Sequence, residues 1–222
     1  MPASKPRKSS RLARLIRRLR THYGRPAAPP FSDPYRLLLW EQVAYLGCDG
    51  DRRAAFRLLE TSVGTDSTAI LAASDAAVRA VTRRGGAIAF VERAERLRAV
   101  ANRVFSAWNG DLNQVLALSF VAARKELTKY PSIGEAGAER ILLLSRAHPV
   151  LALESNSLRV LQRLGYSGEG KRWAASYREA QGAAEKELAR TVGARRAAYL
   201  LLKQHGETLC RRSAPRCSEC PL

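Results

Sequence analysis

Pro131 and Gly134 interrupt a helical pattern just after Tyr130, and a second pattern of period 3.6, carried by Ala138, Ile141, Leu142 and Ser145, begins at once. The segment therefore reads as helix, tight hairpin, helix. No other stretch constrains the chain as much, because so short a turn fixes the mutual direction of two helices. The second helix opens on Gly134, Ala136 and Gly137, small residues that let another backbone come close. A helix start also presents N–H groups that suit a phosphate oxygen. Ser132, Gly134, Ala136 and Gly137 thus form a candidate phosphate clamp; an ordinary helix connection is the competing reading.

Helical spacing dominates elsewhere, and no alternating strand pattern of any length occurs, so the expected fold is all-α. Residues 1–9 read as a disordered basic tail, and residues 10–32 as an amphipathic helix followed by a stiff Pro-rich linker. In that helix Leu12, Leu15, Ile16, Leu19 and Tyr23 fall on one side and five arginines on the other. A presequence, a membrane-surface helix and a helix docked on the protein are all compatible with this pattern. Residues 33–147 read as a helical domain. Asp33-Pro34 caps a helix to about Leu46 that is apolar on most sides, and further helices are expected at 51–61, 67–73, 75–83, 88–107 and 112–130. Residues 148–222 form a C-terminal helical lobe: an extended piece to Leu153, then helices at 155–164, 172–190 and 194–207 around a loop at 166–171.

The formal net charge is +18 and the pI about 10.7 in 222 residues, an excess that favours a polyanion, nucleic acid before an anionic membrane. A generally basic, arginine-solvated surface is the plainer alternative. No apolar run is long enough to cross a bilayer and the N-terminus has no apolar core of signal-peptide type, which predicts a soluble, intracellular protein with no membrane partner; a cytoplasmic, nucleoid-associated monomer is the expectation that goes with a DNA partner. Three of the four cysteines, Cys210, Cys217 and Cys220, lie together, and in a reducing compartment that clustering argues for metal ligation. Cys48 stands apart and reads as a small buried residue.

The hairpin and the cysteines together resemble the helix-hairpin-helix superfamily of endonuclease III-like DNA glycosylases. Its hairpin runs roughly Leu-Pro-Gly-Val-Gly-x-x-x-Ala, matched by Pro131, Ile133, Gly134 and Ala138, with Ser132 in place of the first hairpin glycine. Cys210-x6-Cys217-x2-Cys220-Pro221 has the spacing of the first three ligands of that family's iron–sulfur loop. The resemblance implies two helical lobes with a DNA cleft between them, the N-terminal helix docked on the C-terminal lobe, and double-stranded DNA with a lesion or mismatch as partner. It also implies a [4Fe-4S] cluster, whose usual fourth cysteine is absent from this chain. A three-cysteine cluster, or a zinc site completed by His205, are the alternatives. The loop arginines Arg211, Arg212 and Arg216 are then expected to press on DNA phosphates.

Cleavage of an N-glycosidic bond develops positive charge on the sugar, which a nearby carboxylate stabilises. Glu154 stands where the family keeps an aspartate, one methylene longer; capping the next helix with Ser155 is its plain alternative. Glu41, on the early apolar helix, matches an acid that protonates the departing base in adenine glycosylases, and a structural acceptor is the alternative there. The Gln-Gln motif that follows in those enzymes is Tyr45-Leu46 here, which points away from adenine. Trp40, Gln42 and Tyr45 could line a pocket for a flipped base, or belong to the core. Arg84, within Arg83-Arg84-Gly85-Gly86, is expected on a flexible loop that grips phosphates or fills the space the base leaves; a helix C-cap is the alternative. Bifunctional relatives carry a lysine where Ala136 stands, and an imine needs an amine, so a monofunctional hydrolytic glycosylase is expected. A non-catalytic lesion-binding relative, and an abasic-site lyase or endonuclease using another amine, are the rivals.

Overall fold

The structure is a computed structural model that describes residues 10–45, 49–168 and 172–222. The expectations for the basic tail at 1–9, for Leu46 and Cys48, and for the end of the 166–171 loop fall outside the described residues. In chain order the α-helices are α1 (Arg11–Tyr23), α2 (Pro34–Val43), α3 (Asp49–Ser62), α4 (Ser67–Ala72), α5 (Asp75–Arg84), α6 (Phe90–Trp108), α7 (Phe120–Leu127), α8 (Glu135–Leu144), α9 (Ser155–Arg163), α10 (Trp173–Glu187) and α11 (Val192–Thr208). Short 3-10 stretches at Leu112–Ala117 and Cys217–Glu219 complete the set, and no strand occurs among the described residues. The chain divides into two compact units, Pro29–Ser145 and the combination of Met1–Ala28 with Arg146–Leu222.

The Pro29–Ser145 unit is built on α2. Asp33 accepts from the Arg36 N–H and Pro34 opens the first turn, as the sequence indicates. Leu37, Leu38, Leu39 and Val43 have almost no exposed surface, and the helix packs against α3, α6 and α8. It ends earlier than expected, at Val43, because Ala44 turns to an extended conformation. The helix expected over 112–130 is two elements. Asp111 caps the 3-10 stretch, Leu118 is extended, and Ser119 starts α7 by accepting from Ala122 N, so two side-chain caps override a continuous apolar pattern. Trp40 belongs to the core rather than to a base pocket: it is 7% exposed, with its ring centroid 5.5 Å from Phe56 and 5.6 Å from Phe31.

In the other unit α9 and α11 make the most extensive helix pair. They approach so closely that a Cβ on Gly206 would lie 2.6 Å from the Asn156 carbonyl oxygen, which only glycine tolerates. α1 packs against α10 and α11. Leu12 and Leu19 are fully buried, Leu12 N donates to Glu187 Oε2 at 2.7 Å, and the Tyr23 hydroxyl lies 2.9 Å from both His205 Nδ1 and Thr208 Oγ1.

Candidate active site and cysteine loop

The hairpin between α7 and α8 turns on a serine. Ser132 adopts φ of 61°, the left-handed region that glycine enters freely and other residues enter at a cost of about 1–2 kcal/mol. Gly134 is the residue before α8, with no side-chain cap, and a Cβ there would meet open space. Ala136 and Gly137 follow in the first turn, half-exposed, so the clamp residues share one accessible helix start. Tyr130 and Ile133 are buried beneath it. Gln42 Nε2 donates to the Pro131 carbonyl at 2.9 Å, and the buried Glu139 pairs with Arg124 at 3.0 Å, pinning α7 to α8. Gln42 is thus a support of the hairpin, 2% exposed, rather than a wall of a base pocket, and Tyr45 is 54% exposed.

Glu41 Oε2 lies 2.7 Å from Arg140 Nη2 and 3.7 Å from Arg52 Nη1. Proton donation near neutral pH calls for an acid in apolar surroundings without a cationic partner. Instead α8 and α3 each bring a guanidinium to it, an arrangement that matches the structural-acceptor alternative. Glu41 and Gln42 therefore both tie α2 to the hairpin region. Nothing in the sequence marks Arg140 or Arg52 as the partners, since neither is near Glu41 along the chain.

Arg84 is half-exposed and 3.3 Å from Asp51. The Gly85-Gly86 segment is not a flexible loop but a helix C-cap: the Gly85 N–H returns to Val81 and Thr82 carbonyls, and a Cβ on Gly85 would lie 1.9 Å from the Val43 oxygen. Arg93, 2% exposed, fastens the same place by donating to Val43 O at 2.7 Å, to Ile88 O at 3.1 Å and to Gly86 O.

Glu154 precedes α9 as its N-cap. Oε1 accepts from Ser157 N at 2.7 Å, and Oε2 accepts from Asn156 N at 2.9 Å and Asn156 Nδ2 at 3.0 Å. The Ser157 hydroxyl donates back to the Glu154 oxygen and accepts from its N–H, closing a capping box. Glu154 therefore caps α9, as its plain alternative has it, but with Ser157 rather than Ser155 as the partner. Capping does not consume the group, because a carboxylate offers about four lone-pair sites.

From α9, Arg159 and Arg163 hold the cysteine loop. Arg159 donates to Cys210 O at 3.0 Å, Gly206 O at 2.7 Å and Asn156 Oδ1 at 2.8 Å. Arg163 Nη1 reaches Arg211 O at 2.9 Å and Cys210 Sγ at 3.2 Å. Arg211 donates to Ala214 O, whereas the Arg212 and Arg216 side chains are exposed. Cys210, Cys217 and Cys220 line one cavity of about 320 Å³ together with His205, whose Nε2 lies 3.6 Å from Cys220 Sγ. Burial pushes the His205 imidazole down to about 4. Among the described residues no three His, Cys, Asp or Glu side chains converge as a single-ion site, so the zinc alternative is not preformed.

The fold and these sites define an all-helical helix-hairpin-helix protein with a C-terminal cysteine loop. It has the endonuclease III fold. The chain superposes on endonuclease III trapped as a covalent intermediate with DNA, with a TM-score of 0.75 at 18% identity, covering 94% of this chain and 91% of that one. A thermostable thymine-DNA glycosylase gives 0.72 at 19% identity, covering 94% and 92%. The H. pylori 3-methyladenine DNA glycosylase bound to 1,N6-ethenoadenine gives 0.63 at 18% identity, covering 87% and 93%. No family model matches the sequence, and comparison with curated proteins gives no match.

Proposed function

We propose that the protein is a DNA N-glycosylase of base-excision repair that hydrolyses the bond between the sugar and a damaged or mismatched base, and that it is monofunctional. The observation that carries this reading is the Glu154 carboxylate, fixed by three N–H donors at the start of α9 in a chain whose fold matches three DNA glycosylases. In the reaction the glycosidic C–N bond breaks, the base leaves with the electron pair and a proton, and water supplies the hydroxyl to the anomeric carbon. Glu154 would stabilise the cationic sugar as charge develops and orient the water. The target base must leave the duplex first. The hairpin at Ser132 to Gly137, with Arg84, Arg212 and Arg216, would hold phosphates, a role that the net charge of +18 supports. Arg211 would contribute less, its guanidinium being bonded within the loop.

Cys210, Cys217 and Cys220 would hold a [4Fe-4S] cluster, with His205 also at the cavity wall. When bound, such a group supplies a structural tie for the loop. Ala136 offers no amine for an imine with the sugar, which supports hydrolysis without strand cleavage.

The experiment is incubation with duplexes carrying oxidised pyrimidines, uracil, mismatched adenine, alkylated purines or an abasic site. Base release from one of them, lost in Glu154→Gln, is expected. Binding without product on every lesion overturns the catalytic reading, and borohydride trapping on abasic DNA overturns the monofunctional one. Iron and acid-labile sulfide in the purified protein test the cluster; folded, colourless, iron-free protein refutes it.

A further inference from the structure

We infer that the exposed face of α1 is a second nucleic-acid contact, gripping the phosphate backbone of duplex DNA independently of any lesion. The inference rests on the proposed function for the choice of DNA as the polyanion, and on α1 itself for the rest. Arg11, Arg14, Arg17 and Arg18, with Leu15, His22 and Pro221, line an open groove of about 1030 Å³. No acidic residue occurs in α1. All four arginines are exposed, and none of them is among the candidate residues of the hairpin, the carboxylate site or the cysteine loop.

Three observations turn a basic stripe into a contact surface. The helix is rigidly held, by its buried Leu12 and Leu19, by Leu12 N on Glu187, by Ser10 Oγ on the Glu187 carbonyl, and by Tyr23 on His205 and Thr208. The arginines are thus presented on a fixed rod, which lowers the ordering cost of binding. Leu12 and Leu19 are fully buried inside the protein and Leu15 and Ile16 are partly covered, which leaves α1 little apolar surface to sink into a lipid, the step on which an interfacial helix depends. The spacing suits a phosphate backbone. At 1.5 Å per residue, Arg11 to Arg18 spans about 10.5 Å, a length over which one strand of duplex carries about three phosphates.

The test is a salt titration of binding to lesion-free duplex by the full chain and by the triple variant Arg14→Gln, Arg17→Gln, Arg18→Gln, with thermal melting as the fold control. Each phosphate contact contributes about 0.9 to the slope of log K against log salt. The triple variant is expected to bind with a slope shallower by about 2.7, and to retain the single-turnover rate of base release at saturating protein. Should the triple variant melt early, Arg17→Gln and Arg18→Gln are measured singly, each with an expected loss of about 0.9, and Arg18→Lys should keep the slope. An unchanged slope in well-folded variants overturns the inference. So does loss of binding to anionic phospholipid vesicles with DNA binding intact, which would assign the face to a membrane. A protein that releases no base yet shows the α1-dependent slope would refute the glycosylase reading and leave this one standing.

Discussion

Glu154 and Cys210 are joined through two side chains: Asn156 Nδ2 donates to Glu154 Oε2 at 3.0 Å, Asn156 Oδ1 accepts from Arg159 Nη2 at 2.8 Å, and Arg159 Nε donates to the Cys210 carbonyl at 3.0 Å. The carboxylate proposed to act on the sugar and the first cysteine of the loop thus share one hydrogen-bonded chain. Asn156→Ala removes its middle link while leaving both backbone caps on Glu154. The expected result is a folded protein whose single-turnover base release falls between about tenfold and a hundredfold, the scale of a small misplacement of a reacting group. An undiminished rate would show that the Glu154 backbone bonds alone hold the carboxylate.

Ser132 occupies a glycine conformation at the hairpin, with φ of 61°. Ser132→Gly should relieve that strain. Offset by the greater freedom of glycine in the unfolded chain, the net gain is about 0.5–1 kcal/mol. Denaturant or thermal unfolding measures it, and a loss of stability would mean that the Ser132 side chain makes a compensating contact.

Gly206 faces the Asn156 backbone where α9 and α11 cross, and a Cβ would lie 2.6 Å from the oxygen. Gly206→Ala must push these helices apart, at an expected cost of about 2–3 kcal/mol in the range known for overpacked contacts. Because Asn156 and Arg159 sit on the displaced helix, base release should fall along with the melting temperature.

Tyr166 donates its hydroxyl to Glu187 Oε1 at 3.0 Å, and the other oxygen of Glu187 anchors α1 through Leu12 N. Burial, then the hydrogen bond to Glu187 and its negative charge, raise the phenol to about 12. In the unfolded chain it ionises near the ordinary value of about 10. The folded state therefore holds more protons between those values, and stability falls as pH rises from about 10 towards 12. Tyr166→Phe should flatten that decline in an alkaline unfolding series, and an equal decline in the variant would place its origin in other groups.

Much of the architecture follows from local physics. Asp33-Pro34, Ser74 and Thr191 cap helices where short polar side chains precede apolar patterns, and these starts can be read residue by residue. The hairpin is equally legible, since proline and glycine punctuate the helical pattern there. The limit appears at 112–130, where apolar spacing continues across Leu118 and only the competing caps of Asp111 and Ser119 split the helix. Trp40 and Gln42 show a second limit. Periodicity places them on a central helix, yet their partners, Phe56 and the Pro131 carbonyl, lie far along the chain.

By itself the sequence determined the all-helical class, the hairpin, the cysteine spacing and the strong positive charge, because each depends on residue identity and near-neighbour spacing. Tertiary structure alone decided what Glu41 is bonded to, that Gly85 and Gly206 are obligatory, and that Leu12 and Leu19 of α1 are buried inside the protein. Those outcomes depend on contacts between residues tens of positions apart, and no local propensity encodes which distant guanidinium, carbonyl or backbone will arrive.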